Sequence, residues 1–345
     1  TDTIAVQALL LDFSKAFDRM RPDLAIEKLL SLNVNPILVQ VVQSFFEDRQ
    51  QRIKYRRHLS DYYPCRIGVP QGTIMGPILW NIFVHDLVPA IGHIKYADDT
   101  TIYNIVDKQG VNISESTARK ATISFTENPL QHAAQYASDW CIDNSMILNT
   151  AKSNTITFSL QKEISSPAIE IHGATISHHN TVKLLGVLYD SHLKFSDHVD
   201  WTIEKTRSAV HAITKLKKAG VRAPSLTLFY KARILSILTY AAPSWFPFIG
   251  KNDREKLENH QKMCLRLILP YSEHYEDRLH DLNMSELTVY MDLICLRYVE
   301  KVRQHQSHPL SEHIPKPTTG KYHRQLARPK HRTALLGRSL FYKYF

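Results

Sequence analysis

The sequence predicts an α+β protein in which a part with both strands and helices is followed by a helical part. Two observations indicate the first part: a nearly continuous apolar run at residues 4–11, and two β-prone runs at residues 94–103 that flank adjacent aspartates. The third observation is a change of pattern at residue 196, after which apolar residues recur at helical spacing. We therefore expect three regions along the chain: a sheet region at 1–195, a helical region at 196–310 and a basic tail at 311–345.

The composition is that of a globular protein with a basic surface. Lys and Arg (43) exceed Asp and Glu (33), and 43% of the residues are hydrophobic. A polyanion is the natural partner of such a surface, although membrane headgroups or simple solubility would also explain it. Its 4 cysteines lie far apart, which disfavours a disulfide framework or a zinc site and favours a reducing compartment. We expect an intracellular protein, in cytoplasm and nucleus. Without a signal peptide or an apolar run long enough to cross a bilayer, we expect no membrane association.

The run at residues 4–11 is typical of a central strand buried on both faces, and it ends in Asp12. An acid where a buried strand meets its loop is costly unless it is ligated or paired, so Asp12 is either a metal ligand or a helix N-cap. Prolines then predict two helix starts, for helices at 22–32 and 36–47.

A basic stretch follows these helices. If it is a strand, the spacing of Arg52, Lys54 and Arg56 places three cations on one face. That arrangement fits a track for a phosphate backbone and, equally well, a solvated edge strand protected by charge.

A loop punctuated by glycine and proline occupies residues 68–77 and leads into an apolar helix predicted at 78–87. Its glycines allow a close approach of the backbone to a ligand, and a helix N-terminus suits an anion. We interpret this segment, which includes Gln71 and Gly72, as a substrate loop.

Asp98 and Asp99 lie at the predicted tip of the acidic hairpin. Neighbouring side chains on a strand point to opposite faces, so both can serve one site only if the backbone turns beside them; the alternative is an ordinary Asp-rich turn. Together with Asp12 they form a set of three acids. Carboxylates gathered at one sheet edge repel each other unless divalent cations hold them, which indicates two-metal phosphoryl transfer on a polyanion.

The remaining chain predicts further elements by its periodicity. We expect a helix at 114–144, strands at 155–158, 168–171 and 182–188, and helices at 197–219, 225–244, 252–269 and 284–304, with breaks at Gly220 and around 243–250.

Three stretches resemble, in order, the central motifs of reverse transcriptases: residues 11–18 (LDFSKAFD), 68–72 (GVPQG) with Gly76-Pro77, and 96–99 (YADD). The residues of these motifs most resemble those of non-LTR retrotransposons of the LINE-like, jockey or RTE type. Leu148-Asn149 with Lys152, and residues 184–187, resemble the fourth and fifth palm motifs. The resemblance implies a palm, an antiparallel sheet with packed helices, followed by a thumb-like helical domain. Because family members carry a fingers region before the first motif, the resemblance also implies a chain truncated at its N-terminus.

The resemblance further implies roles for particular residues. Asp12, Asp98 and Asp99 would hold two Mg²⁺ ions, with Mn²⁺ as an alternative. Phe17 would be a steric gate against a ribose 2′-hydroxyl, or else a core aromatic, and Lys152 would be a proton donor near the pyrophosphate, or else a solvated lysine. Substrate contacts are expected from Gln71, Gly72 and Tyr96 at the incoming dNTP and from Leu185 and Gly186 at the primer.

We therefore expect an RNA-directed DNA polymerase that extends a DNA primer on an RNA template. Two alternatives share these motifs: a retroelement remnant that binds nucleic acid without polymerising, and an intron-maturase-like RNA-binding protein.

Overall fold

The structure, a computed structural model, describes residues 5–106, 128–159, 168–305, 307–311, 340 and 344. The chain divides into two compact units between Val182 and Lys183. The palm and thumb-like regions expected at 1–195 and 196–310 remain predictions as functional domains. The predicted basic tail at 311–345 lies outside the described residues except at positions 311, 340 and 344.

The first unit contains both strands and helices. Its strands are, in chain order, β1 (Ala5–Leu11), β2 (Gln50–Gln51), β3 (Lys54–Tyr55), β4 (His58–Leu59), β5 (Tyr63–Pro64), β6 (Gly92–Tyr96), β7 (Asp99–Val106), β8 (Asn154–Ser159), β9 (Glu170–Ile171), β10 (Ala174–Thr175) and β11 (Ser177–His178). Its helices are α1 (Ala16–Arg19), α2 (Pro22–Ser31), α3 (Pro36–Phe46), α4 (Met75–Phe83) and α5 (Pro129–Asp143).

Five strands form one sheet in the order β11-β8-β1-β7-β6. β1 is central and antiparallel to both neighbours, so that Ala8 faces Tyr103 on β7 and Ile156 on β8. Most of its side chains are buried, as expected for a strand covered on both faces. The sheet is antiparallel except at its edge, where the two-residue strand β11 runs parallel to β8. The predicted α+β class and the central strand are confirmed.

An aromatic cluster lies just beyond the end of β1. The ring of Phe13 makes edge contacts with Trp80 at 5.8 Å and with Trp140 at 6.2 Å between centroids, and Phe83 lies 6.0 Å from Trp140. These residues are almost completely buried, and edge-to-face pairs are worth about 0.5–1.5 kcal/mol each beyond the area that they bury. The residue after Asp12 is thus fixed in the core between α4 and α5.

Predicted helix bounds in the first unit agree for α2 and α3 and differ for α4. That helix begins at Met75, ahead of Gly76 and Pro77, and ends at Phe83 instead of residue 87. Proline is tolerated there because the first turn of a helix has no intrahelical use for its N–H. Of the helix expected at 114–144, the part from Pro129 onward is α5, and residues 114–127 lie outside the described residues.

As far as its residues are described, the second unit is helical apart from a hairpin that opens it. Its elements are β12 (Thr181–Leu184), within which the units divide, β13 (Val187–Asp190), α6 (Ser196–Lys218), α7 (Ala223–Tyr230), a π-helical segment (Lys231–Leu235), α8 (Ser236–Leu238), α9 (Ala242–Trp245), α10 (Lys251–Ile268), α11 (Tyr275–Asp281) and α12 (Leu287–Gln304). Its core includes Phe195, Tyr230, Trp245 and Phe246, each at most 2% exposed. In the parts of the chain that the structure describes, no helix combines the length and the apolar character needed to cross a membrane.

Two predicted elements of this region are wrong. Residues 182–188 are not one strand, because the chain reverses at Leu185 and Gly186, whose φ angles of 46° and 84° form a two-residue hairpin turn. The helix expected at 225–244 is interrupted by the π-helical segment and ends at α8, with a break at Ala241 (φ 49°) before α9. Pro243 therefore lies in the first turn of α9 and does not break a helix.

Candidate active site

Asp12 lies where β1 leaves the sheet, and its backbone is held by the turn that precedes β8. Its N–H donates to the Ser153 hydroxyl at 3.3 Å, and its carbonyl accepts from the N–H of Asn149 at 2.8 Å. The Ser153 hydroxyl in turn donates to the Asn149 carbonyl at 2.9 Å. These bonds satisfy the backbone of Asp12 and leave its carboxylate as the part that is available for a ligand.

The acidic hairpin forms as predicted. β6 and β7 pair up to Tyr96 and Asp99, so that Ala97 and Asp98 are the two turn residues. Ala97 has a φ angle of 52°, in the left-handed region that a tight reversal requires. The turn places Asp98 at the tip and Asp99 at the first position of β7.

Two side chains tie this hairpin to α4 and the segment after it, one from α4 and one from β6 of the hairpin. The indole N–H of Trp80 donates to the carbonyl of Ala97 at 2.6 Å. The ammonium of Lys95 donates to the carbonyls of Val84, His85 and Leu87 at 2.7, 3.2 and 3.1 Å. Partial burial of that ammonium lowers the pKa of Lys95. The acid-bearing turn is therefore tied to the core at its tip and beside it.

The strand register, continued by one residue, brings two of the three acids opposite each other. Leu11 on β1 faces Thr100 on β7, and continuing that register by one residue places Asp12 opposite Asp99. Directly opposed residues share a face of the sheet, with Cβ atoms about 4.5–5.5 Å apart. Tyr96 on β6, the other neighbour of β7, is paired with Asp99, so its side chain lies on the same face of the sheet as that of Asp99.

Electrostatics connects the third acid to this pair. Partial burial raises the pKa of Asp99, and the negative charges of Asp98 and then Asp12 raise it further. Among the described residues, no three His, Cys, Asp or Glu side chains are close enough together to form a complete metal site. The set still fits Mg²⁺ in chemistry, because carboxylate oxygens are the ligands that this ion prefers and a cation would relieve their repulsion.

The predicted substrate loop lies next to the segment after β1. The N–H of Gly68 donates to the Met20 carbonyl and that of Val69 to the Phe17 carbonyl, both at 2.8 Å. Gly68 has a φ angle of 78° and lies against the backbone of Asp18, so glycine is required by conformation and by space. Gln71 and Gly72 are exposed at the free part of the loop.

Phe17, Tyr96 and Lys152 differ in their surroundings. The Phe17 ring is partly buried and packs against Trp80 at 5.4 Å, so the core-aromatic alternative describes its packing. Tyr96 is 65% exposed. Lys152 is exposed in the turn that holds Asp12, and its N–H donates to the Asn149 carbonyl at 3.1 Å.

Leu185 and Gly186 belong to the second unit and form the β12–β13 turn. The Tyr240 hydroxyl donates to the Leu185 carbonyl at 2.9 Å. A Cβ on Gly186 would lie 3.1 Å from the Tyr240 ring, so the turn and this tyrosine fit closely.

The geometry predicted for Arg52, Lys54 and Arg56 is wrong. Lys54 belongs to β3, Arg52 precedes it outside a strand, and Arg56 lies in the β3–β4 turn with a φ angle of 56°. Three cations on one face of a single strand do not occur, because the chain reverses at Arg56 and Arg57. The three side chains are nevertheless exposed on one β-ribbon.

Sequence reasoning missed the residues that position the acids, namely Trp80, Lys95 and Ser153. Trp80 lies in an apolar helix and reads as a core residue, which it also is. Lys95 carries a weak signal, since a lysine between Ile94 and Tyr96 in a β-prone run is unusual in a strand.

Comparison with known proteins identifies the family. The family model described as "Reverse transcriptase (RNA-dependent DNA polymerase)" matches residues 5–189, more than half of the 345-residue chain. The RNA-directed DNA polymerase from mobile element jockey of Drosophila melanogaster is 27% identical over 301 residues, which cover 86% of this chain and 32% of that protein. The probable RNA-directed DNA polymerase from transposon BS of the same species is 26% identical over 311 residues, covering 87% and 33%.

The chain thus spans about a third of the length of these relatives. Among solved structures, apo telomerase from Candida tropicalis aligns with a TM-score of 0.36 and 11% identity over 90% of this chain and 53% of that chain, a similarity too low to support an argument. The family match and the jockey relatives confirm the predicted resemblance: the chain belongs to the reverse transcriptase family.

Proposed function

We propose that this chain carries the polymerase site of an RNA-directed DNA polymerase, which adds dNTPs to the 3′-hydroxyl of a DNA primer annealed to an RNA template. The observation that supports the proposal is the β1–β7 register, which pairs Leu11 with Thr100 and, continued by one residue, would bring Asp12 opposite Asp99, with Asp98 in the adjoining turn. The family match and the names of the relatives agree with this activity.

Asp12, Asp98 and Asp99 are the residues that would hold two Mg²⁺ ions, or Mn²⁺ as the alternative. The chemistry that such ions supply when bound is activation of the primer hydroxyl and neutralisation of charge on the triphosphate. The contribution of the protein is to hold the carboxylates before substrate arrives. Trp80 and Lys95 do this for the hairpin and Ser153 for the backbone of Asp12, because a site fixed in advance avoids reorganisation during reaction.

The substrate contacts follow from the positions of the exposed groups. Gln71 and Gly72 would meet the incoming nucleotide from the loop anchored on Phe17 and Met20. The packing of Phe17 against Trp80 fixes one side of its ring, which would allow it to act as a rigid gate against a ribose 2′-hydroxyl. Tyr96 shares the face of Asp99 and would line the same pocket.

Lys152 would give a proton to the leaving pyrophosphate. Its side chain is exposed, and its turn is bonded to the backbone of Asp12 through Asn149, which places Lys152 on the segment that holds this acid. In the second unit, Leu185 and Gly186 would form the primer grip. Because Tyr240 bonds and packs against their turn, it would be the residue that supports the grip.

The test is extension of a labelled DNA primer on an RNA template with dNTPs and Mg²⁺. We expect extension by the unaltered chain and its loss in Asp12→Asn and Asp99→Asn, which remove a negative charge with little change of shape. Asp139→Asn is the matched control, since that exposed carboxylate lies on α5 and accepts a bond from Gln135 at 2.8 Å. Binding of the primer–template without extension, in a chain that is folded by circular dichroism, would instead support the nucleic-acid-binding remnant.

A further inference from the structure

A basic ribbon, defined here as residues 49–66, projects between α3 and the substrate loop. Its two halves are antiparallel: β2 pairs with β5 and β3 with β4, and the N–H of Ser60 donates to the Ile53 carbonyl at 2.9 Å between them. Every residue from 50 to 64 except Ser60 is exposed. The ribbon therefore presents nearly all of its side chains to a partner.

The charge of the ribbon is strongly one-sided. One acid, Asp61, stands against six cations: Arg49, Arg52, Lys54, Arg56, Arg57 and Arg66. Like charges at this density repel each other, and a polyanion relieves the repulsion while it releases its own counterions.

Three large aromatic side chains stand among these cations without being buried. Tyr55, Tyr62 and Tyr63 are 67%, 58% and 59% exposed. The guanidinium of Arg52 lies 4.7 Å from the Tyr62 ring centre, and that of Arg56 lies 5.5 Å from the Tyr55 ring centre. Each guanidinium therefore lies over the face of a tyrosine ring, and both tyrosine rings and guanidinium planes are surfaces on which bases stack.

A change of register shapes the middle of the ribbon. In the outer pair of strands Gln51 faces Tyr63, and in the pair nearer the β3–β4 turn Lys54 faces Leu59. The two residue numbers of a pair sum to 114 in the first case and to 113 in the second, so the register shifts by one residue between them. One strand therefore carries an extra residue at Asp61 and Tyr62, opposite Arg52, which is a β-bulge. Because bulges redirect side chains, this one explains why Tyr62 lies under the guanidinium of Arg52.

The root of the ribbon is joined to the candidate site. The N–H of Cys65 donates to the Arg49 carbonyl at 2.7 Å, and the Arg49 guanidinium donates to the Gly68 carbonyl, also at 2.7 Å. Gly68 begins the loop that carries Gln71 and Gly72. An extended polymer bound along the ribbon would consequently run towards the substrate loop.

We propose that the basic ribbon binds single-stranded RNA, with bases stacked on Tyr55, Tyr62 and Tyr63 and phosphates neutralised by the surrounding cations. The identity of that strand as the template rests on the proposed polymerase function. In a duplex the faces of the bases are covered, so a duplex can bind the cations of the ribbon but cannot stack on its tyrosine rings. Ile53 and Leu59 are also exposed and would suit a protein partner, but six cations against one acid and the two arginine–tyrosine pairs favour nucleic acid.

The test measures binding of a fluorescent single-stranded RNA of mixed sequence to the full chain, without Mg²⁺ or dNTPs, over a range of salt concentrations. We expect Tyr62→Ala and Tyr63→Ala each to weaken binding about tenfold with an unchanged salt dependence, because each removes a stacking surface and no charge. Tyr62→Phe, which keeps the ring, should bind as the unaltered chain does. Arg52→Gln should lower the slope of log affinity against log salt by about one.

Tyr271→Ala is the matched control, since that tyrosine is 95% exposed and belongs to the second unit. Equal binding by all tyrosine variants, an equal loss in Tyr271→Ala, or the same tenfold loss for the RNA annealed to its complement would each overturn the inference. This binding test and the primer-extension test of the proposed function can give different results. A tenfold loss in a chain that extends no primer would support the ribbon and refute the polymerase, whereas normal extension and binding in Tyr62→Ala/Tyr63→Ala would do the reverse.

Discussion

The indole N–H of Trp80 donates a hydrogen bond of 2.6 Å to the carbonyl of Ala97, in the turn that carries Asp98. The Trp80 ring is fully buried and also contacts Phe13, which follows Asp12, at 5.8 Å. One side chain on α4 thus touches both segments that bear the acids. The relative positions of Asp12 and Asp98 therefore depend on how this indole is packed.

Trp80→Phe should lower the rate of primer extension strongly and the free energy of unfolding only moderately. Phenylalanine keeps much of the packing but removes the donor, which leaves the Ala97 carbonyl without this partner and frees the turn to shift. A displacement of about 1 Å at a reacting group can cost about 100-fold in rate, whereas a typical hydrogen bond contributes about 0.5–1.5 kcal/mol of stability. We expect a fall in kcat of about 10- to 100-fold, measured in primer extension, with unchanged affinity for primer–template.

Trp140→Phe is the matched control for this prediction. Its indole donates to the Asp86 carboxylate at 3.0 Å and does not bond the hairpin. The two variants should lose similar stability while only Trp80→Phe loses rate, and an equal fall in kcat for both would show that the Ala97 bond has no special role.

Gly68 and Gly72 should respond differently to alanine although both have positive φ angles, of 78° and 82°. A Cβ at Gly68 would lie 2.7 Å from the Asp18 carbonyl oxygen and 2.9 Å from its Cα, which are backbone atoms that cannot turn aside. At Gly72 the added carbon would meet no described atom within 4 Å. We expect Gly72→Ala to lower the free energy of unfolding by about 1–2 kcal/mol, from the left-handed conformation alone. Gly68→Ala should cost about 2–4 kcal/mol, because the clash adds to that strain.

Urea unfolding of the two variants, side by side, measures this difference. Equal losses would mean that the segment at Asp18 moves freely, contrary to its bonds with the loop. Because Gly72 is exposed at the predicted nucleotide pocket, its alanine variant also tests the site: we expect a higher KM for dNTP, measured at a temperature where the variant is still fully folded.

The ion pair between Lys28 and Asp86 should be asymmetric in its energetics. The Lys28 ammonium is buried, donates to Asp86 Oδ1 and to the Phe83 carbonyl at 2.7 Å each, and lies 4.8 Å from the Phe83 ring centre. Burial lowers the pKa of Lys28, whereas the Asp86 side chain is 41% exposed to water. Asp86→Ala therefore leaves a buried cation without its counter-charge and should cost about 2–4 kcal/mol, since breaking fully buried pairs costs 3–5 kcal/mol.

Lys28→Met is the other half of this comparison. The thioether fills the space among the aromatic rings, and the released carboxylate can be solvated, so the loss should be about 1 kcal/mol or less. Thermal unfolding of both variants checks the order, and a larger loss in Lys28→Met would show that the pair stabilises the fold mainly through the lysine contacts.

The sequence could predict those parts of the site that depend on local pattern. Residues 4–11 and 94–103 carry their own periodicity, so the central strand, the hairpin and the positions of Asp12, Asp98 and Asp99 within them followed directly. Whether Asp12 and Asp99 meet depends on the β1–β7 register, which joins residues far apart in the chain. The shared motifs of a family imply that meeting, and the observed pairing of Leu11 with Thr100 is the register that it requires.

What the sequence could not predict depends on single residues that act against their local pattern. Leu185 adopts a positive φ angle inside an apolar run, so the sequence predicts one strand where the structure has a hairpin. The cations at Arg52, Lys54 and Arg56 alternate as in a strand, yet the chain reverses at Arg56. The role of Trp80 has no sequence signature, because its hydrogen bond goes to a backbone carbonyl and the residue lies in an apolar helix.

His198 should make the stability of the second unit depend on pH. Its side chain is 2% exposed, its Nδ1 accepts from the N–H of Leu188 at 3.2 Å, and its ring lies 4.8 Å from that of Trp245. Burial, with a smaller effect from the positive charge of Lys205, lowers the pKa of His198 to about 4 from an ordinary value of 6.5. Between these two pH values His198 is protonated in the unfolded chain and neutral in the folded chain. This residue therefore lowers the free energy of unfolding as the pH falls below 6.5.

At about 1.4 kcal/mol per pH unit, the loss attributable to His198 is on the order of 3 kcal/mol by pH 4, and none is expected above pH 6.5. Urea unfolding followed by tryptophan fluorescence at pH 7.5, 5.5 and 4.5 measures it, as the difference between the unaltered chain and His198→Gln. Removing the titrating ring should flatten the decline, because glutamine can still accept from the Leu188 N–H without binding a proton. His280→Gln, whose histidine side chain is 91% exposed, should leave the decline unchanged. If His198→Gln declines as steeply as His280→Gln, protonation of His198 does not contribute to the acid sensitivity of this unit.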